Sequence, residues 1–157
     1  MVPARKDDPM DNDDVIDTLN ELIETCKDGE QGFRECAEHT ASPELKTVFE
    51  QRAQDCEKGA RELQTCIVKL GGKPDEHGSA TGSLHRGWVA LRGKLAGHSD
   101  QAMLDECERG EDAAKSRYRK ALDDGLPADV RQLVERQYQG VLRNHEQVRA
   151  LRERYAH

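Results

Sequence analysis

Aromatic residues are scarce: one Trp, three Tyr and two Phe stand among 157 residues. A core built from such a chain has to be aliphatic, filled out with Ala and Cys. With few β-branched residues as well, the composition argues against a sheet protein. Without a predicted strand, there is no place for the Gly-rich phosphate loop that follows one. No apolar run approaches the length needed to span a bilayer. The stretch from Met1 to Asp14 lacks the apolar centre of a secretory signal. A positive excess is missing too. The net charge of −7 opposes a general affinity for DNA, RNA or acidic membranes. The five cysteines (Cys26, Cys36, Cys56, Cys66 and Cys107) are odd in number and never fall at CxxC spacing. All lie inside helical stripes, with Cys26, Cys56 and Cys107 at core positions. They read as small buried hydrophobes in a reducing cytoplasm.

What is present is helical periodicity. Apolar residues recur at steps of three and four in four stretches, near residues 15–41, 43–70, 100–123 and 128–155. Ser42-Pro43-Glu44 restarts a helix with an N-cap, a proline at the first position and an early acid. Gly71-Gly72 stops the second stripe, and Asp124-Gly125 stops the third. The short turn at Ser42 forces the first two helices antiparallel. The connection over residues 71–99 is Gly-, Ser- and Pro-rich at first; Leu84, Trp88, Leu91 and Leu95 then predict a short helix within it. Its length lets it run back along the bundle, making the third helix parallel to the second. The fold class is therefore all-α: a ferritin-like four-helix bundle of two antiparallel hairpins joined by a long crossover. Residues 1–13 read as a disordered acidic tail, with Asp13 or Asp14 as the first N-cap. Residues 14–157 read as one domain. The arginines from Arg131 to Arg154 read as a solvated face of the last helix.

Each stripe carries a mid-helix glycine (Gly32, Gly59, Gly110, Gly140) and polar residues at about the same depth. A glycine in a helix interior costs ~1 kcal/mol relative to Ala. Two purposes stand open: close helix approach, or room for a ligand or a local distortion. Folding the helices about their turns places Glu30 and Phe33 near Arg52 and Cys56, and Cys107, Glu108 and Glu111 near Val141 and His145. A carboxylate on an inner face needs a partner, arginine or metal, because burying it alone costs several kcal/mol. A di-iron centre asks for a Glu on each of two helices and Glu-x-x-His on the other two. No Glu-x-x-His occurs in the sequence. The favoured reading is a salt-bridged layer, Arg52 against Glu30 and His145 against Glu108 or Glu111. The alternative is a degenerate metal site for iron or manganese, drawn from Glu30, Glu108, Glu111 and His145. A Cys107–His145 nucleophile pair is set aside, since a buried thiol is inert.

The segments Leu19-Asn20-Glu21-Leu22-Ile23, Asp28-Gly29-Glu30-Gln31-Gly32-Phe33, Leu70-Gly71-Gly72, His85-Arg86-Gly87-Trp88 and Arg109-Gly110-Glu111-Asp112 resemble those of a bacterial ferritin-like four-helix-bundle family of unknown function. The resemblance runs from about residue 14 onward. It implies a ferritin-like fold and a cytoplasmic, stress-associated protein, with Asp28, Glu30, His85, Arg86, Trp88, Glu108 and Glu111 as the matching positions of interest. It departs from iron-storing ferritins and rubrerythrins in lacking their ligand pattern and any rubredoxin-like cysteine pairs. Trp88 reads as a plug on the bundle's flank or a dimer contact, and His85 with Arg86 as a gate or anion contact. The expectation is a non-enzymatic structural or interaction protein, a homodimer that binds neither nucleic acid nor membrane. The alternative is the metal-binding bundle.

Overall fold

The computed structural model describes residues 11–73 and 99–155. They form four helices: α1 (Asn12–His39), α2 (Pro43–Lys69), α3 (Asp100–Asp123) and α4 (Ala128–Tyr155). At ~1.5 Å per residue these are rods of roughly 36–42 Å. None is long and apolar enough to cross a membrane. The predicted crossover helix, with His85, Arg86 and Trp88, lies outside the described residues, as do residues 1–10 of the expected tail.

Local chemistry sets the helix ends. The Asp11 side chain accepts from the Asp14 amide at 2.9 Å, and Asp13 and Asp14 occupy the positive end of the dipole. The helix therefore begins earlier than expected, and Asp13 and Asp14 are first-turn residues rather than its cap. Ser42 caps α2 as predicted, accepting from the Leu45 amide. Ser99 caps α3 in the same way. Gly71 and Gly125 take positive φ (84° and 78°) at the ends of α2 and α3, where a side chain would be strained.

Hydrogen bonds between helix ends define the topology. The Asn12 amide donates to the Leu70 carbonyl, pairing the start of α1 with the end of α2. Thr40 donates to Asp100, and the Ser42 and Tyr155 hydroxyls meet at 2.8 Å. Thus α2 and α3 begin at one end and run parallel, which is the crossover arrangement. Packing is densest within each hairpin; between hairpins α1 meets α3 more closely than α2 meets α4.

The core comes in two blocks. One groups Leu19, Ile23, Leu63, Ile67 and Val134 with Tyr118; the other groups Phe33, Phe49, Leu45, Met103, Leu104 and Val148. Phe33 and Phe49 stack with centroids 6.3 Å apart. Between the blocks lies a polar waist. Val68 is the one large hydrophobe exposed among the described residues.

The arginines of α4 form a solvated face as expected, Arg152 alone being half-buried, and three of them also reach acids on other helices. Arg136 reaches Glu62 on α2 at 2.7 Å, Arg154 reaches Glu44 at 2.9 Å, and Arg152 bonds Glu108 on α3. Arg136–Glu62 and Arg154–Glu44 link α4 to α2, the hairpin-to-hairpin pair that approaches less closely, while Arg152–Glu108 lies within the second hairpin. Exposed pairs of this kind contribute roughly 0–1 kcal/mol each.

Candidate functional site

The waist encloses a cavity of about 690 Å³, reached by residues of all four helices. Glycines shape it in two ways. A Cβ on Gly29 would stand 2.9 Å from Cys56 Sγ, and one on Gly59 would stand 3.3 Å from Cys26 Sγ. Each helix of the first hairpin therefore offers a glycine to the other's cysteine, the close-approach purpose. On α1 it is Gly29 that seats Cys56. Gly140 is different: a Cβ there would meet only the Arg143 side chain, at 3.7 Å. With Gly110 it lines the cavity, and its missing side chain leaves room.

One wall is a hydrogen-bond chain. Tyr118 donates to Gln137 Oε1 at 2.8 Å, so its oxygen is left to accept from the Cys26 thiol at 3.4 Å. Gln137 Nε2 donates onward to the Gly59 carbonyl at 3.2 Å and to Glu62 at 3.1 Å. Burial pushes Glu62 up, but the bonds from Arg136 and Gln137 outweigh it and hold the carboxyl below its usual range. Burial pushes the Cys26 thiol up to about 11, so it stays protonated and serves as a donor. Cys56 is raised as well, mainly by burial, with like charge on Cys26 and Glu111 adding to it.

Opposite stand Glu111, from α3, and Arg52, from α2. Glu111 is buried, and its Oε1 has no hydrogen-bond partner among the described residues. Burial lifts its pKa from 4.5 to about 8; the Arg52 charge pulls it down, and Asp112 and Glu108 push it further up. At neutral pH this carboxyl is mostly protonated. Arg52 bonds Asn144 on α4 through Nη1 and Asp55 through Nη2 at 3.0 Å, while its Nε is buried without a partner among the described residues. Asp28 lines the same space from α1, and Arg117 lies within the field of Asp28 and Glu21.

These positions correct the Arg52–Glu30 half of the expected salt-bridged layer and bear out His145 against Glu108, with Asp112 added. Arg52 does not pair with Glu30. Glu30 faces outward and bonds Arg34, one turn along α1, at 2.7 Å, with Arg34 shared by Glu57. His145 does not pair with Glu111 but bonds Asp112 at 2.7 Å and stands 3.9 Å from Glu108. The four proposed ligands therefore divide. Glu108 and His145 come together beside Asp112, Glu111 turns into the waist, and Glu30 lies on the first hairpin. Asp112 was missed because it and Glu111 are adjacent, about 100° apart on the helix, and spacing alone does not say which one faces α4. Glu108 and Asp112 are one turn apart, which was the available signal. Asp28, a position of interest only through the resemblance, falls one step off the apolar stripe, and the phenol of Tyr118 occupies an apolar position of the third stripe, so spacing alone places neither at the waist.

A family model described as a domain of unknown function (DUF2383) matches residues 14–124. The chain belongs to that family. The match takes in α1 to α3, so Asp28, Arg52 and Glu111 fall inside it, and the α4 residues Gln137, Gly140, Asn144 and His145 fall beyond it. No curated protein matches. Among solved structures, the chain is similar to a two-domain Anabaena variabilis protein containing DJ-1/ThiJ/PfpI-like and ferritin-like domains (TM-score 0.75, 11% identity, 94% of this chain, 38% of that one). The chain thus spans well under half of that protein. It also resembles a mutant of Mycobacterium smegmatis Dps1 (TM-score 0.70, 16% identity, covering 88% of this chain and 95% of that one). A Vibrio cholerae Dps protein, described as a member of the ferritin-like diiron-carboxylate superfamily, matches at TM-score 0.69 and 16% identity, covering 89% of each chain. The fold is a ferritin-like four-helix bundle.

The waist does not fit the dinuclear metal centre which that superfamily name implies. Asp28, Asp55, Glu62, Glu106 and Glu111 put carboxylates along it, but no histidine is among its described lining residues, and Arg52, Arg136 and Arg143 bring guanidinium groups to the same space. A fixed cation beside Glu111 repels a metal ion.

Proposed function

We propose that this ferritin-like bundle is a binding protein rather than an enzyme, and that its waist cavity holds a compact organic molecule with an apolar body and one polar head. The observation that carries this reading is the 690 Å³ space between the two core blocks, bounded by Phe33, Cys26, Cys56 and Val141 on one hand and by Arg52, Glu111 and Gln137 on the other. Interiors are close-packed, and a cleft of this size with a few convergent polar groups matches the usual form of a small-molecule site. A stress-associated role in the cytoplasm is part of the same proposal.

Titration with 8-anilinonaphthalene-1-sulfonate, an aromatic body with an anionic head, tests it. Saturable binding of one dye per chain is expected, with near-UV circular dichroism unchanged. Gly140→Leu should weaken binding at least tenfold while leaving stability equal or slightly raised, since it fills the cavity and removes a helix-interior glycine. Dye binding that is unsaturable, or that survives Gly140→Leu undiminished, would sink the cavity reading.

A second reading rests on its own observation. Glu108, Asp112 and His145 place one ligand atom each within 4.8 Å of one another, and the His145 and Glu108 side chains are only 12% and 15% exposed. Such a trio suits one divalent ion, iron or manganese among them, with water completing its shell. Arg152 competes for Glu108. Protein equilibrated anaerobically with Fe(II) or Mn(II) should then retain one metal per chain by elemental mass spectrometry, lost on His145→Ala and kept on Glu111→Gln. Retention unaffected by His145→Ala would remove this site from consideration.

A further inference from the structure

Cys36 and Cys107 take no part in the waist chain. Cys36 stands on α1 and Cys107 on α3, so the pair straddles the seam along which the two hairpins meet most closely. Both are fully buried in the core block that holds Phe33 and Met103. Their Sγ atoms are 3.7 Å apart. A disulfide holds its sulfurs at about 2.05 Å, so bond formation asks for roughly 1.7 Å of approach. Side-chain rotation and a small shift of two packed helices supply movements of that order. The cysteines at the waist are placed differently: Cys26 is engaged by Tyr118 and Cys56 is seated against Gly29.

We propose that Cys36 and Cys107 are an oxidative cross-linking site, joined as a disulfide between the hairpins when the protein meets a hydroperoxide. One sulfur, as thiolate, attacks the outer peroxide oxygen; the O–O bond breaks, an alcohol or water leaves, and a sulfenic acid forms. The second sulfur displaces the hydroxyl from that sulfenic acid, the S–S bond closes, and water leaves. In balance, two thiols give up two electrons and two protons, and the peroxide is reduced. Burial and mutual contact hold Cys107 as the thiol, so the first step proceeds through transient opening of the seam. The second step is intramolecular and outruns over-oxidation. The product ties α1 to α3 beside the waist, and so adds a covalent link between the two hairpins to the core they share.

The full-length protein is treated with hydrogen peroxide, its remaining thiols are blocked, and the digest is mapped by mass spectrometry. The partly exposed Cys66 reports that the oxidant is active. A linked Cys36–Cys107 peptide is expected as the main intramolecular product, with a Tm rise of roughly 10 °C that dithiothreitol reverses. The rise should be absent in Cys36→Ala, a small apolar replacement in an apolar setting. The proposal is overturned if both thiols remain free after Cys66 has been oxidised. Sulfinic acid at either position, or a link from either to another cysteine, overturns it equally.

Discussion

Glu111→Gln is expected to stabilise the protein at pH 8 and to leave it nearly unchanged at pH 4.5. The carboxyl is buried with one oxygen lacking a partner among the described residues, and its pKa rises from 4.5 to about 8 on folding. Between these values the unfolded chain releases the proton while the folded chain keeps it. Stability therefore falls as pH climbs through that window and levels off above it. At ~1.4 kcal/mol per pH unit, the ionisable carboxyl costs roughly 3 kcal/mol at neutral pH. Glutamine keeps the shape and removes the titration. Urea unfolding of both proteins at pH 5 and pH 8 measures it: the gap should open by about 2–4 kcal/mol across that interval. An equal gap at both pH values would mean that Glu111 is ionised in the fold, held by Arg52, and that the waist is a salt-bridged layer after all.

Phe49→Ala should be the most damaging single truncation, costing about 3–5 kcal/mol. Phe49 is fully buried and stacks on Phe33, joining α2 to α1 in the core block that also contains Cys36 and Cys107. Close-packed neighbours relax only partly into the space a deleted ring leaves, so the cavity cost adds to the lost burial. The polar waist separates this block from the one around Leu19 and Leu63. Loss of protection should therefore concentrate near the Ser42 end of the bundle. Native-state hydrogen exchange should show amides around Phe33 and Met103 losing more protection than those around Ile23 and Val134. A uniform loss would show that the two blocks open as one unit despite the waist.

Both expectations concern how the chain solves one problem, a polar layer across a narrow core. Natural bundles tolerate such a layer when each group has a partner. Here Gln137, Tyr118 and Cys26 satisfy one another, whereas Glu111 and Arg52 each keep an atom without one among the described residues. A guest in the cavity would supply what these two groups lack, which ties the stability argument to the proposed function.

The sequence by itself determined the four helices, the Ser42 cap, the glycine stops and the crossover topology. Each follows from local spacing, capping chemistry or connection length, which act over a few residues. It also located the waist, because polar residues interrupt four apolar stripes at one depth. What it left open was which neighbour meets which. Adjacent residues differ by about 100° around a helix, and the rotation of each helix is set by packing across the bundle. That rotation turns Glu111 inward and Asp112 toward His145, sends Glu30 to Arg34, and brings Arg52 to Asn144. It also makes Gly29 the seat for Cys56, and sets Cys36 against Cys107. Only the tertiary structure decided these, because a partner choice between helices depends on angular differences smaller than sequence periodicity resolves.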